Sequence, residues 1–349
     1  MKRIVAIFLI IILCALCSAC DSWMGGEYLS ITPHEEHPQV YADRVIEVSS
    51  YTQLRNALAN LVRTGAEDGI ISISAFHKGT IHFYVDTAIS NVIENTAFGA
   101  YAVEKITYEI GTNRGVSVVA CKIHYRRGYQ PVSQLKKVET LEDVSGAIVF
   151  ALEAFDQTLL LHTEQYEEID VEKVVADHAA LYPDRIVELP EIKVNVYPEK
   201  GAERIIEILF DYDRNQVYLQ QLRSKIEGHF SFLELQLNGI NDAAMIYEQL
   251  FMVLSEGYTY KANTSSVPVL DFFEKKIGDE KVLADVYARV CTRIGLGCKT
   301  VTGTKDGREY VWNAVQIRGR FYAVDLLRCI ENRAFALLSI DELEHYAER

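Results

Sequence analysis

Residues 281–328 read KVLADVYARVCTRIGLGCKTVTGTKDGREYVWNAVQIRGRFYAVDLLR, and their periodicities decide the architecture of the C-terminal part of the chain. Leu283, Val286, Val290 and Ile294 recur at three- and four-residue intervals, which predicts a helix over Leu283–Ile294 with one apolar stripe. Gly295, free to take positive φ, stops it. Val301 belongs to a short strand after Cys298, and Thr304-Lys305-Asp306-Gly307 carries the Asp-Gly signal of a tight antiparallel turn. Tyr310–Ile317 and Phe321–Leu326 then read as a hairpin around Arg318-Gly319-Arg320. The pattern is one helix followed by three strands.

Four local features within it, Tyr287-Ala288, Gly295-Leu296-Gly297, Val311-Trp312-Asn313 and the run from Gly319 to Asp325, resemble the transglutaminase-like superfamily, a papain-like cysteine-hydrolase fold. The resemblance implies a nucleophilic Cys opening the helix, a His on one strand and an Asp on the next. Carried onto this sequence, those positions hold Ala284, Tyr310 and Asp325, with the family's spacing between the second and third. The likeness extends upstream to about residue 216, through apolar helical positions such as Leu219, Leu222 and Ile226, then Leu250, Phe251 and Leu254, to Tyr258.

The family's chemistry needs a thiolate activated by a helix N-terminus and an imidazole, with a carboxylate orienting the imidazole. Ala284 offers no nucleophile, and Tyr310 is a phenol, ordinarily protonated near neutral pH. The degenerate triad thus predicts a non-catalytic domain, its former cleft lined by Tyr310, Trp312, Asn313, Tyr322 and Asp325 and suited to an extended peptide or a cell-wall sugar. The alternative is an active cysteine-type hydrolase or acyltransferase on envelope protein or peptidoglycan, with a relocated nucleophile such as Cys291 or Asp285. A third reading fills the cleft and leaves an architectural part. An open cleft around Tyr310 and Trp312 favours binding; a closed one favours scaffolding. His345, the one histidine after residue 229, reads as part of a solvated C-terminal face.

At the other end, Lys2-Arg3, an apolar run from Ile4 to Leu16 and Cys-Ser-Ala-Cys have the form of a secretory signal over residues 1–19, short for a membrane span. Ser18 and Ala19 before Cys20 resemble a bacterial lipobox, although Cys17 stands where Leu is usual; the resemblance implies lipidation of Cys20. The expectation is an exported protein anchored to the outer face of a bacterial cytoplasmic membrane, spaced from it by a polar linker over 20–43. Removing residues 1–19, with two basic residues and no acid, takes the net charge from −14 to −16. Such acidity argues against nucleic acid as a partner and is compatible with a basic one, although it more often just maintains solubility; the partner expected of an exported, anchored domain is an envelope protein, peptide or cell-wall glycan. Of seven cysteines, Cys121, Cys291, Cys298 and Cys329 remain after the signal and Cys20, too few for a disulfide framework, with pairing among the last three left open. No spacing suggests a metal, and no cofactor motif occurs.

Between linker and C-terminal domain the chain repeats a β-α-β-α-β-β order, over 44–130 and again over 131–215, with Val48 matching Val138 and Tyr125 matching Tyr212. The first copy has strand Ile70–Ser74, a helix over Ala88–Tyr101 and strands Ala102–Ile110 and Gly115–Tyr125. The second has helices Leu141–Ala154 and Val171–Leu181 and strands Thr158–His162, Val187–Val196 and Ala202–Tyr212. The fold expected is α+β: two repeated units followed by a transglutaminase-like domain over 216–349. Within the repeats, Ile123–Arg127 is the nearest to a binding patch, and a strand running into a charged loop explains it equally well; Asp211 and Asp213 could do acid–base work or hold calcium, but on an exposed strand end the solvated reading is preferred.

Overall fold

The computed structural model describes residues 45–126, 135–262, 265–339, 342 and 346–348. The signal, the linker, Cys20 and His345 lie outside them.

The first sheet joins β1 (Val45–Glu47), β2 (Asp68–Ser72), β3 (Val103–Asn113) and β4 (Val116–Tyr125) in the order β1-β2-β4-β3. Its helices are α1 (Tyr51–Arg63), α2 (Ile81–Asn95) and α3 (Ala97–Ala102). The helix expected over Ala88–Tyr101 starts earlier and is divided at Thr96. That residue is extended, its hydroxyl donating to the Val92 carbonyl at 2.6 Å and accepting from Gly99 N at 3.1 Å. Gly99 is required there, since a Cβ would stand 1.9 Å from the Val92 carbonyl oxygen.

The second sheet joins β5 (Lys136–Lys137), β6 (Thr158–Thr163), β7 (Glu191–Tyr197) and β8 (Arg204–Asp211) in the order β5-β6-β8-β7, with α4 (Leu141–Ala154) and α5 (Val171–Leu181). Both helices span the residues their periodicity predicts. For α4 the reason is a capping box: Thr140 Oγ1 accepts from Asp143 N at 3.1 Å, and Asp143 Oδ2 accepts from Thr140 N at 3.0 Å. The strand expected from Val187 starts only at Glu191. Pro190 has no amide to give a ladder, and Glu188 is turned inward to an ion pair with Arg214. Buried positions of the two halves coincide at a constant offset of ninety residues: Val48 and Val138, Leu58 and Ile148, Ile71 and Leu161, Val85 and Val175.

The remainder is built from α6 (Gln216–Leu237), α7 (Ala243–Ser255), the short parallel pair β9 (Thr259–Tyr260) and β10 (Ile277–Gly278), α8 (Pro268–Lys275) and α9 (Glu280–Arg293). Beyond them come β11 (Cys298–Lys305), β12 (Arg308–Ile317), β13 (Arg320–Val324), α10 (Leu326–Asn332) and β14 (Tyr346–Glu348). The third sheet runs β13-β12-β11-β14. Asp306 and Gly307 (φ +50° and +75°) and Arg318 and Gly319 (φ +51° and +80°) make two-residue turns that set its registers, Lys305 opposite Arg308 and Ile317 opposite Arg320. Strand β13 ends before Asp325, which caps α10 by accepting from Arg328 N at 2.9 Å; the strand expected to reach Leu326 therefore gives way to a helix.

One continuous apolar core runs from the second sheet into α6–α10 and the inner face of the third sheet, while the first sheet and its helices have a separate core. The described residues form a mixed α+β fold with three four-stranded sheets and the two-stranded pair β9–β10. Among the described residues, no helix is long and apolar enough to cross a membrane.

Candidate functional site

Helix α9 begins at Glu280, with Asp279 as its cap accepting from Val282 N at 2.9 Å. The first helical bond is Leu283 N to Asp279 O, which places Ala284 beyond the turn whose amides are free. The position that would carry the nucleophile is thus inside the helix, 2 % exposed, and its carbonyl accepts from Asn313 Nδ2 at 2.9 Å. Instead of a single apolar stripe, α9 is buried nearly all round. Val286, Tyr287, Val290 and Cys291 are fully inside, and Arg289 and Arg293 on a further face enter a network of acids. Each of these apolar side chains contributes about 1.5–3 kcal/mol through burial. Tyr287 donates to the Tyr247 carbonyl at 2.9 Å, and Tyr247 donates to Gly297 O at 2.9 Å, pinning the Gly-Leu-Gly turn.

The structure brings Tyr310 and Asp325 together. The Tyr310 hydroxyl donates to Asp325 Oδ1 at 2.8 Å, and Asp325 is 1 % exposed. Its other oxygen accepts from Lys305 Nζ at 2.7 Å, and the same ammonium stands 4.5 Å from the Tyr310 ring centroid. With the Arg328 amide also on Oδ1, the carboxylate is fully engaged. Sequence reasoning treats Lys305 only as part of a turn. The signal was there: Asp306-Gly307 fixes the register, Gly303 falls opposite Tyr310, and Lys305, two residues on, shares their face.

The remaining predicted cleft residues divide between the two faces of the sheet. Tyr310 and Trp312 pack on Val301, Ala323 and Leu338. Asn313 and Tyr322 turn the other way, toward α9, in line with Val315 and Val324. Trp312 is 3 % exposed and Asn313 0 %. No single lined groove contains all five, because β-strand alternation separates neighbours in sequence.

The relocated-nucleophile candidates are equally enclosed. Cys291 is fully buried beside the Cys298 thiol, and burial pushes it well above the ordinary thiol range. Burial also raises Cys329, and it pushes Cys121 up to about 12. All four of these cysteines are free thiols, Cys298 alone being partly exposed. Asp285 is 7 % exposed; burial raises its pKa, offset by Lys281 Nζ at 2.6 Å from Oδ2, while Oδ1 has no hydrogen-bond partner. None of these is a thiolate at a helix N-terminus beside a base.

Of the two weaker candidates beside the first two sheets, Tyr125 and Arg126 make structural contacts, and Arg127 lies outside the described residues. Tyr125 donates to Ala66 O at 2.8 Å, and Arg126 reaches Ala100 O. Asp211 and Asp213 are exposed on either side of the buried Tyr212. Among the described residues, no three His, Cys, Asp or Glu side chains stand together as a metal site.

No protein-family model matches the chain, and neither does any curated protein. Among solved structures, it is similar to a transglutaminase (TGase) at 12 % identity over 55 % of this chain and 58 % of that one, with a TM-score of 0.24. It is also similar to a proposed cysteine protease from Cytophaga hutchinsonii at 8 % identity, over 46 % of this chain and 71 % of that one, with a TM-score of 0.27. The chain thus spans just over half the length of that transglutaminase. The geometry shows, among the described residues, a mixed α+β protein with three four-stranded sheets and one two-stranded pair.

Proposed function

We propose that this is a non-catalytic envelope lipoprotein, anchored through Cys20, whose C-terminal part is a degenerate transglutaminase-like domain serving as a scaffold or binding module. The two preceding halves are read as a duplication, supported by their common strand order and ninety-residue burial offset. The observation that carries the proposal is the state of the triad positions: a buried alanine for the nucleophile, and a tyrosine and a lysine together occupying the carboxylate that would orient the base. Losing two catalytic groups removes many powers of ten in rate. Burial of Trp312, Asn313 and Asp325 supports scaffolding over ligand capture at the former cleft.

The test combines two assays of the purified protein: incorporation of a fluorescent amine into casein, and hydrolysis of muropeptides and casein peptides. The expected result is no turnover above a heat-inactivated control. Turnover abolished by Cys291→Ala or Asp285→Ala would establish the active alternative. Anchoring is tested separately with Cys20→Ser, which is expected to move the protein from the membrane fraction to the soluble fraction of the exporting cell.

A further inference from the structure

The two halves treat one seam differently. In the first, α2 is clasped to the sheet edge by a polar chain: His82 Nδ1 lies 3.0 Å from the Tyr108 hydroxyl, which donates to Asp86 Oδ1 at 2.8 Å. The ninety-residue offset carries His82 and Asp86 onto Glu172 and Ala176 of α5. Sheet register carries Tyr108 onto Val194: Gly69 pairs Cys121, which pairs Tyr108, and in the second sheet Leu159 pairs Ile208, which pairs Val194. All three members of the clasp are therefore replaced. What remains is a cavity of about 400 Å³ walled by Val175, Ala176, Leu189, Pro190 and Ile192, with Glu172 and Glu191 lining it.

This cavity borders a sheet edge that pairs with no other strand among the described residues. β7 is the last strand of its sheet, and its far end is covered by the first half, with Tyr197 against Tyr101 at 5.5 Å. Glu191, Lys193 and Val194, at the near end, are exposed. Four residues of strand offer about 13 Å of edge. Glu172 and Glu191 are exposed and have no ion-pair partner among the described residues; Lys193 alternates to the face away from Ile192 and Val194.

We infer that the α5–β7 groove binds an extended peptide segment of a partner protein by strand addition to β7, an aliphatic side chain entering the cavity and a lysine or arginine beside it meeting Glu172. Main-chain hydrogen bonds to the edge supply affinity and the cavity supplies selection. Charge complementarity favours a basic segment, both locally and through the chain's net −14. The groove shares no residue with the triad positions, and it stands whether or not that region is catalytic.

The experiment measures binding of acetylated, amidated decapeptides alternating valine with lysine, serine or glutamate to the full chain, to Ala176→Trp and to Glu172→Lys/Glu191→Lys. Ala176 is exposed, so a tryptophan fills the groove and leaves every charge in place. The lysine peptide is expected to bind the parent best, to weaken at least about tenfold with Ala176→Trp, and to lose its advantage over the glutamate peptide with the charge-reversed variant. Absence of binding to the parent, equal binding to Ala176→Trp, or preference for the glutamate peptide overturns the inference. So does a parent dimer in sedimentation that Ala176→Trp dissolves, since the groove would then hold a second copy.

Discussion

Replacing Asp184 by Asn tests how α9 is fastened to the second sheet and its helices. Asp184 is 1 % exposed and accepts from Arg289 Nε at 2.7 Å and Nη2 at 2.9 Å, and from Arg293 Nη1 at 2.8 Å. Arg293 would keep Glu227, at 2.6 Å from two of its nitrogens, and Glu234. Arg289, 12 % exposed in its side chain and stacked 4.8 Å from the Tyr182 ring, has no second acid among the described residues and would be left as an unpaired charge in a dry site. Breaking one side of such a buried pair costs about 3–5 kcal/mol. The surviving Arg293 contacts and the Tyr182 face place the expected loss at the lower end, about 3 kcal/mol. For a cooperative unit of this size that lowers Tm by about 6–12 °C. The assay is thermal unfolding by circular dichroism at neutral pH, with Arg289→Met and the double variant completing a cycle. The double variant should lie well above the sum of the singles, because no charge is then stranded. A Tm change under about 2 °C, or additive effects, would refute the claim that this network joins the second sheet to the C-terminal helices.

Three further outcomes follow from the same geometry. Lys305→Met should destabilise by about 3 kcal/mol, since Asp325 is buried and loses its counter-charge, and adding Asp325→Asn should recover part of it in chemical denaturation. Ala284→Cys with Tyr310→His should produce neither amide hydrolysis nor fast thiol alkylation, because residue 284 lies beyond the turn where the helix terminus acts and is 2 % exposed; rapid alkylation of that cysteine would refute it. Burial raises Asp285 above its unfolded pKa, so its stabilising contribution is complete below the unfolded value and is lost as pH rises through the folded one. Asp285→Asn should accordingly flatten the decline of stability above the acid range, read as Tm against pH; an unchanged profile contradicts it.

How much of this was legible beforehand depends on whether the signal is local. α4 and α5 span the predicted residues because apolar periodicity and caps such as Thr140 with Asp143 lie within each helix. The Asp306-Gly307 turn announced both its strands and their register. α8 and α10 were missed: α8 is short and starts at Pro268 without a side-chain cap, and α10 depends on Asp325, which the resemblance had assigned to a strand end. Tyr310 and Asp325, singled out by residue order, do meet, but Lys305 and the Asp184 network are not singled out by it. Both consist of charges that the chain brings together over long separations, and a lone Lys or Asp in sequence reads as surface. The five cleft residues failed to line one groove because adjacency in sequence along a strand means opposite faces.

The central proposal, that the positions matched to a catalytic triad form a sealed structural joint with no working nucleophile, is tested most directly by the rate at which an iodoacetamide-type electrophile labels Cys291, Cys298 and Cys329 at neutral pH. The rates are followed by peptide mass spectrometry against the protein in urea. The account predicts that no cysteine labels faster in the native protein than in the unfolded control, with Cys291 slowest because it is wholly buried and its pKa is raised. A native cysteine that labels much faster than its unfolded counterpart, and whose replacement by alanine abolishes amide hydrolysis, would contradict it.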